Sequence, residues 1–243
     1  MIHENTSPPF LSVRSLSSAY VSRPWGIFGR REVKPVLTDV NLEVGRGEIV
    51  GLAGVSGCGK TTLAKCILGL IDYNGEISIN GRVRGKKPPL TEMRRRAFEM
   101  QAVFQNPHAS LNPVKTAGCI LEEPLKAHRL GTALQRQVQV DQMLDLIGLD
   151  ASYKNRKPRE LSSGQKQRLA IGAALMLKPG LIVADEPVSS LDVSVAAQIL
   201  NLFRDLNQRL GLSLLFISHN MDMVRYLCDR VVVMEGGKLA GDE

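Results

Sequence analysis

The chain has 243 residues, 44% of them hydrophobic, and a formal net charge of +7. This length and composition exclude an intrinsically disordered protein and allow one substantial core, alone or with a smaller subdomain attached. No segment approaches the ~20 apolar residues that cross a bilayer, and the start of the chain lacks a basic cluster followed by an apolar run. We therefore expect a cytoplasmic chain, unless a partner carries it elsewhere.

The basic charge raises the question of a nucleic-acid partner. The densest basic segment, Arg82–Arg96, contains no aromatic residue that could stack on a base and matches no recognition motif. We therefore predict no nucleic-acid partner and assign this segment to a solvated face or to a surface near anionic lipid head groups. The cysteines form no C-x-x-C pair, which argues against a zinc site and a disulfide framework: Cys58, Cys66, Cys119 and Cys228.

The N-terminal third, to about Gly81, alternates short apolar and polar segments with turns, as strands do. Between the first two of these segments, Val21–Val36 is rich in Pro, Gly and Arg, which predicts an irregular loop. The predicted strands are Leu11–Leu16, Thr38–Val44, Glu48–Ala53 and Glu76–Gly81.

A glycine-rich turn, "GLAGVSGCGKTT", joins the third strand to the helix-spaced run "LAKCILGL". The turn fits the phosphate-binding pattern G-x-x-x-x-G-K-[ST], in which small residues let backbone N–H groups curl around a phosphate chain. The lysine reaches the outer phosphates, the first threonine binds Mg²⁺, and the helix N-terminus adds its dipole. An ordinary glycine-rich loop is the alternative, but the flanking strand and helix favour phosphate binding. The predicted nucleotide contacts are Gly54, Ser56, Gly57, Cys58, Gly59, Lys60, Thr61 and Thr62, with Thr61 also a metal ligand.

Residues from about 91 to 177 are predicted to be mainly helical, because apolar residues recur at helical intervals. Two clear examples are Leu134–Ile147 and Gln165–Leu177. Strands and helices then alternate, which predicts a parallel sheet with crossover helices and therefore an α/β fold. These later elements are the strands Leu181–Glu186 and Leu212–Ser218, the helix Val193–Gly211 between them, and a short helix after His219.

The apolar strand "LIVADE" ends in two carboxylates, and the carboxyl edge of such a sheet is where ligands bind. We expect Asp185 to hold Mg²⁺, directly or through water, and Glu186 to orient or polarise an attacking water. An acidic turn after a strand is the structural alternative. The phosphate loop upstream favours the functional interpretation.

Three further positions have both a structural and a functional interpretation. Ser162 and Gln165 in "LSSGQ" have the spacing of a capping box, and a capped helix N-terminus is also an anion site. Asp192 in "SSLDVS" is typical of an N-cap, and His219 in "FISHN" of a polar residue that closes a strand. The residues alone leave both interpretations open.

In this order, the motifs resemble those of the ATP-binding cassette (ABC) ATPases over nearly the whole chain: "GVSGCGKT", "VFQNP", "LSSGQ", "LIVADE", "SSLD" and His219. The resemblance implies one ATPase domain over residues 1–243, with ATP and Mg²⁺ as ligands. It implies an α/β phosphate-loop NTPase core with an N-terminal antiparallel β subdomain, in residues 1–90 and 178–243. An α-helical subdomain that carries the signature "LSSGQ" is inserted at about 91–177.

The resemblance also implies catalytic roles. Gln105 contacts the metal or the water and links the site to the helical subdomain, and His219 contacts the γ-phosphate. The implied catalytic set is Lys60, Gln105, Glu186 and His219, and the implied metal ligands are Thr61, Gln105 and Asp185.

Further implied contacts involve a second cassette. Ser162, Gly164 and Gln165 engage ATP held by the opposing cassette, and Asp192 lies at that dimer junction. Ser163 stands where the signature usually has glycine, so the approach of the backbone to phosphate can differ slightly there.

The resemblance also implies an adenine contact, because an aromatic residue upstream of the phosphate loop usually stacks on adenine in this family. Tyr20 is the predicted residue here. The loop Val21–Val36 alters the spacing and offers Trp25 and Phe28 as alternatives.

Within the family, "DEPVSSLDVSVAAQILNLFRDL", "VFQNPHASLNP" and the long loop before "VLTDVNLEV" resemble the ATPase subunits of bacterial oligopeptide, dipeptide and nickel importers. The loop is similar to that of the second of two paired subunits. The implied partners are a second ATPase subunit, either a paralogue or another copy, two membrane permeases and, indirectly, an extracytoplasmic solute-binding protein. The implied location is the cytoplasmic face of the bacterial plasma membrane, and peptide, nickel and metal chelate remain open as the solute. Many such subunits continue with a C-terminal tail, so the end at Glu243 indicates a short or truncated form.

Three other functions fit parts of the pattern. A soluble cassette of translation or DNA repair usually has two fused cassettes or a long coiled-coil insertion, and neither is present. A phosphate-loop kinase or GTPase accounts for Lys60 but not for "LSSGQ" or His219, and there is no N-K-x-D motif. A non-catalytic nucleotide-binding scaffold is at odds with the presence of Glu186.

Two expectations concern individual side chains. Asn106–Pro113 contains two prolines, which predicts a surface loop, and we expect it to couple nucleotide state to the permease, with Leu111 contacting an apolar groove. Lys60 and the helix N-terminus favour a thiolate at Cys58, so a thiol reagent should modify Cys58 wherever its sulfur is exposed.

Overall fold

The computed structural model of the chain describes residues 8–22, 32–85, 89–106 and 110–242. Trp25 and Phe28 lie outside the described residues, as do Pro107–Ala109 of the predicted coupling loop. The described residues form two compact units: one joins the N-terminal part up to residue 88 with residues from 213 onward, and the other spans residues 89–212. No described helix is both long enough and apolar enough to span a membrane.

The first unit contains an antiparallel sheet with the strand order β2-β1-β4-β5. Val40, Leu42 and Val44 are buried, whereas Asn41 and Glu43 between them are exposed, as a sheet with one covered face requires. The strands are β1 (Leu11–Ser22), β2 (Glu32–Val44), β4 (Asn74–Ile79) and β5 (Arg82–Val83).

The predicted bounds of the loop, Val21–Val36, are too broad, because β1 and β2 both extend into this range. Their pairing continues to Ser22 opposite Glu32, and Pro35 pairs with Ala19. A proline has no N–H to donate to a neighbouring strand, and β2 tolerates it because β2 is at the edge of this sheet.

The first unit also contains parallel strands. β3 (Ile49–Ala53) pairs in parallel with β8 (Ser213–Ser218) and with β9 (Arg230–Glu235), and β10 (Lys238–Asp242) lies antiparallel to β9. Every residue of β3 and β8 is buried, which is the pattern of strands covered on both faces. The helices of this unit are α1 (Lys60–Leu68) and α7 (Met221–Leu227).

The second unit combines a parallel strand pair with helices. β6 (Met100–Phe104) pairs with β7 (Leu181–Asp185). A hydrophobic core that includes Leu121, Leu144 and Leu169 lies among the helices. The helices are α2 (Leu90–Glu99), α3 (Ala117–Ala127), α4 (Ala133–Leu146), α5 (Ser163–Leu175) and α6 (Val193–Leu210), with 3₁₀ helices at Ala151–Asn155 and Pro158–Glu160.

The predicted α/β class is confirmed, and the predicted strands and helices are present. β6 was missed, because its five residues lie in a segment predicted to be helical and only Met100 and Val103 are buried. The compact units divide the chain near 89 and 213, whereas the sequence-based subdomain boundaries lie near 91 and 178. Those subdomain boundaries stay a prediction.

Candidate nucleotide-binding site

The glycine-rich turn connects β3 to α1, and its backbone depends on glycine at two positions. Gly54 has a φ of 150°, and a Cβ there would lie 2.3 Å from the carbonyl oxygen of Met234. Gly59 has a φ of 119°, and a Cβ there would lie 2.9 Å from Cδ2 of Leu37. A larger residue would therefore clash and would be strained at either position.

Lys60 begins α1, and its side chain is buried with 5% exposure. Its ammonium donates to the carbonyl oxygens of Gly54 (2.7 Å) and Val55 (2.9 Å), so the positive charge lies inside the turn. The N-cap of α1 is Gly59, which provides no side-chain hydrogen bond to the helix. The N–H groups of the first turn and the helix dipole are therefore not shared with a capping side chain, as a phosphate site requires.

Thr61 and Thr62 are predicted to contact nucleotide, and Tyr20 is predicted to stack on adenine. Thr61 is exposed and Thr62 is buried. The Tyr20 hydroxyl lies 3.5 Å from Oγ1 of Thr62, and the side chain of Tyr20 is 49% exposed. The structure thus brings Tyr20 to the first turn of α1 with an accessible ring.

The predicted reaction of Cys58 with a thiol reagent requires an exposed sulfur, and the structure buries this side chain. Its side chain is buried with 7% exposure, and Sγ lies 3.8 Å from Nζ of Lys60. Burial raises the pKa of two other thiols, to about 11 at Cys66 and to about 12 at Cys228. Cys119 is the exposed cysteine, so we expect a thiol reagent to reach Cys119 first and Cys58 slowly.

His219 follows β8 directly and is exposed. Ala53 pairs with Ser218, so the glycine-rich turn and His219 leave from the same edge of this parallel pair. The Ser218 hydroxyl accepts from the N–H of Asn220 (3.1 Å), and Asn220 caps α7. These contacts fix the turn that carries the imidazole.

In the second unit, Phe104 pairs with Asp185, so Gln105 and Glu186 follow immediately at the same strand ends. The side chain of Asp185 is buried with 6% exposure, whereas Gln105 is exposed and Glu186 is half-buried. The structure therefore brings together three residues predicted to act on metal and water.

The backbone of Glu186 is left-handed, with a φ of 49°. Its carbonyl oxygen accepts from the N–H of Ser189 at 3.3 Å and from the hydroxyl of Ser189 at 3.1 Å. A left-handed backbone is uncommon in residues with a Cβ and clusters at functional sites. Neither this conformation nor the role of Ser189 was predicted from the sequence.

The predicted capping box at the start of α5 is present. The Ser162 hydroxyl accepts from the N–H of Gln165 (3.3 Å), and Oε1 of Gln165 accepts from the N–H of Ser162 (2.9 Å). Ser163 is exposed, and Gly164 is buried with its missing Cβ only 2.5 Å from Cγ1 of Val195. The glycine therefore allows α5 to pack closely on the first turn of α6.

Asp192 is the N-cap of α6. Its Oδ1 accepts from the N–H of Val195 (2.9 Å) and from the hydroxyl of Ser194 (2.7 Å). These hydrogen bonds, first of all the one from Val195, lower the pKa of Asp192. The predicted N-cap is confirmed, and the predicted position at a dimer junction stays a prediction.

The side chains that could act as metal ligands show which kind of metal site is possible. Within the described ranges no three His, Cys, Asp or Glu residues cluster in a way that could hold a metal ion. In nucleotide sites Mg²⁺ needs no such cage, since one or two carboxylates act together with phosphate oxygens and water. The buried carboxylate of Asp185 at a strand end fits this ligand chemistry.

Leu111 was predicted to be a surface contact, and this prediction is wrong. Its side chain is buried with 5% exposure in the core of the second unit. Val114, three residues later, is 74% exposed. The basic segment was also misjudged in part, because Arg84 is buried and donates to the carbonyl oxygen of Ile67.

Comparison with known proteins adds a family context. The family described as ABC transporter matches residues 37–189. The chain is 44% identical over 235 residues to a protein of Brucella ovis named as a peptide import ATP-binding protein, covering 96% of this chain and 72% of that protein. It is 44% identical over 215 residues to the oligopeptide transport ATP-binding protein OppF of Bacillus subtilis, covering 86% and 69%. It is 42% identical over 239 residues to the dipeptide transport ATP-binding protein DppF of Haemophilus influenzae, covering 98% and 72%.

Solved structures are similar over nearly the whole chain. A dimeric ATP-binding cassette in a post-hydrolysis state, bound to ADP and Pi, has a TM-score of 0.81 and 28% identity, covering 96% of this chain and 97% of that chain. The structure of cbiO1 from Clostridium perfringens has a TM-score of 0.83 over 97% of this chain and 88% of that chain. Its identity is 24%, so it supports the fold alone.

Proposed function

The chain belongs to the ABC transporter family and is an ATPase, and from this premise we propose that it is the ATP-hydrolysing subunit of a bacterial peptide importer. The observation that carries the proposal is its 42–44% identity to proteins named for peptide, oligopeptide and dipeptide transport. The sequence resemblance also allowed nickel or a metal chelate as the solute. The names of these relatives favour peptides.

ATP would bind first through the glycine-rich turn. The turn offers backbone N–H groups, the uncapped N-terminus of α1 and the buried ammonium of Lys60 to the phosphates. The half-exposed ring of Tyr20 would stack on adenine, since its hydroxyl already lies near Thr62. His219 would donate a hydrogen bond to the γ-phosphate.

Hydrolysis would depend on the residues that follow β6 and β7. We assign Thr61, Gln105 and Asp185 as protein ligands of Mg²⁺, which when bound would neutralise charge on the phosphate oxygens. Glu186 would orient and polarise the attacking water. It directly follows the buried Asp185 in sequence, and Ser189 donates hydrogen bonds to its backbone carbonyl oxygen.

A second ATPase subunit, a paralogue or another copy, would complete each site. Ser162, Gly164 and Gln165 at the N-terminus of α5 would contact ATP held by that subunit, and Asp192 would lie at the junction. The dimeric cassette with ADP and Pi is the precedent for such an assembly.

Transport would further require two membrane permeases on the cytoplasmic face of the plasma membrane, and an extracytoplasmic protein that supplies the solute. A cavity of about 260 Å³ in the second unit is a candidate contact for a permease. It adjoins the end of β6 and the residues after Gln105, and Phe104 at its edge is 38% exposed. The lining also includes Ser110, Leu111, Ile120, Pro124 and Ala170.

The identity of the importer can be tested by purification from the native membrane. We expect the chain to co-purify with two permeases and a second ATPase subunit, and the associated binding protein to hold peptides. Nickel or a chelate in that protein would replace the peptide assignment. Recovery of a soluble ATPase with no permease would overturn the transport proposal.

The coupling between nucleotide state and the permease can be tested with Val114→Asp. Val114 is exposed, so it is a better position for this test than the buried Leu111. We expect uptake by the reconstituted importer to fall while ATP hydrolysis by the isolated chain is unchanged. Val138→Asp on α4 is the control, because Val138 is also exposed (49%) and lies away from the residues after Gln105 in sequence. Equal losses in both variants, or none in either, would contradict a coupling role for this segment.

A further inference from the structure

The side-chain amide of Gln165 is held at both ends. Oε1 accepts from the N–H of Ser162 at 2.9 Å, and Nε2 donates to the hydroxyl of Tyr153 at 2.9 Å. A backbone N–H can only donate, so the oxygen of the amide must face Ser162 and the nitrogen must face Tyr153. Tyr153 therefore completes the capping box that begins α5.

Tyr153 is itself held in place by its surroundings. It lies in the 3₁₀ helix Ala151–Asn155, whose N-cap Asp150 accepts from the N–H of Ser152 at 2.8 Å. The guanidinium of Arg156 lies 4.2 Å from the centroid of the tyrosine ring, within the range of a cation–π interaction. The ring is half-buried, so only part of it is open to water.

The same short segment is fixed on its other side by α3. The N–H of Ala117 donates to the carbonyl oxygen of Arg156 at 2.8 Å. A Cβ on Gly118 would lie 2.9 Å from Cγ of Lys154, so glycine allows the first turn of α3 to approach this closely. The Tyr153 hydroxyl thus extends from a segment that is anchored independently of α5.

We infer that Tyr153 is a positioning residue, which orients Gln165 and the N-terminus of α5 toward ATP held by the second ATPase subunit. This inference rests on the proposed function, in which Ser162, Gly164 and Gln165 contact that nucleotide. A cavity of about 260 Å³ borders these residues, and its lining includes Tyr153, Ser162, Gln165 and Arg168. Tyr153 acts through Gln165 and need not touch the nucleotide.

The test compares Tyr153→Phe with Tyr226→Phe. Each variant loses one hydroxyl, and Tyr226 is 48% exposed on α7 in the other unit. Hydrogen exchange of the isolated chain without nucleotide should accelerate about 5-fold at Gln165 in Tyr153→Phe, the effect of losing one hydrogen bond. Exchange in α1 should not change in either variant.

Function is measured in the same proteins. We expect kcat for ATP hydrolysis to fall about 5-fold in Tyr153→Phe. ATP-driven association with the second subunit, measured in a Glu186→Gln background, should weaken by a similar factor. Binding of ATP to the dilute, unassociated chain should stay unchanged, because it depends on the glycine-rich turn. Tyr226→Phe should match the unchanged chain in every measurement.

A double-mutant cycle shows whether Tyr153 acts through Gln165. Tyr153→Phe should add no further loss of association to Gln165→Leu. Additive losses, unchanged exchange at Gln165, or faster exchange without loss of association would each overturn the inference. If the unchanged chain neither associates with a second subunit nor hydrolyses ATP, the proposed function fails, and with it the positioning role. The exchange measurement would still show whether Tyr153 holds Gln165.

Discussion

The N-termini of α1 and α5 are both proposed to face phosphate, yet they are built in opposite ways. α1 starts after Gly59, which has a left-handed backbone and no capping side chain, and Lys60 supplies the positive charge. α5 starts after Ser162, whose hydroxyl and whose partner Gln165 form a complete capping box. An uncapped end leaves its donors to a ligand, whereas a capped end is already formed without one. This difference supports the proposal that α1 binds the nucleotide of its own chain and that α5 offers a preformed surface to the nucleotide of a second chain.

The largest effect is expected for Glu186→Gln, which separates binding from hydrolysis. The amide keeps the size of the side chain but cannot act as a carboxylate toward water, so kcat should fall by ~10²–10³. ATP binding should be retained, so the roles of the N-termini of α1 and α5 in ATP binding can then be compared without hydrolysis. Steady-state hydrolysis and equilibrium ATP binding are the measurements, and unchanged hydrolysis would exclude the assigned role of Glu186.

Lys60→Met tests the charge at the uncapped end. Loss of a charge-assisted hydrogen bond should weaken ATP binding by the isolated chain about 10–100-fold. Lys65→Met in the last turn of α1 is the matched control and should bind normally. Equal affinity of the two variants would show that α1 needs no side-chain charge, contrary to the comparison.

Gly164→Ala tests the packing of the capped end. The added methyl group would lie 2.5 Å from Cγ1 of Val195, so the free energy of unfolding should fall by about 1–3 kcal/mol. Gly164→Ala combined with Val195→Ala should recover most of that loss, and Ser163→Ala at an exposed position should be nearly neutral. Denaturant titration measures all of these variants, and a double variant no more stable than Gly164→Ala would contradict the proposed packing.

The smallest effect concerns a third helix end, where Asp192 caps α6 with a carboxylate. Its pKa is lower in the folded chain than in the unfolded one, so its contribution to stability is present above the unfolded value of about 3.9. That contribution is lost as the pH falls through the folded pKa. As the pH is lowered below about 4, the free energy of unfolding should therefore fall less in Asp192→Asn than in the unchanged chain. An unchanged pH profile would show that the carboxylate charge contributes nothing at this cap.

The glycine-rich turn and the capping box could be predicted because each depends on residues close together in sequence. The spacing of Gly54, Gly59 and Lys60 identifies a turn between strand and helix, and Ser162 with Gln165 identifies a helix start. Local chemistry determines these structures almost completely.

Other features depend on contacts that no local pattern shows. Leu111 lies in a polar, proline-containing segment but packs into the core of the second unit. The hydrogen bond from Gln165 to Tyr153 joins residues twelve positions apart. Glu186 precedes a proline, which favours an extended backbone, so its left-handed conformation runs against the local preference.

The left-handed backbone of Glu186 has a consequence for laboratory evolution. Such a backbone costs a residue with a Cβ roughly 1–2 kcal/mol, and glycine avoids this cost. Glycine at position 186 would therefore relieve strain and remove the carboxylate at the same time. A library selected for heat resistance alone would enrich this substitution, and its most robust members would be poor catalysts. Selection for thermostable variants of this ATPase should therefore require turnover in every round.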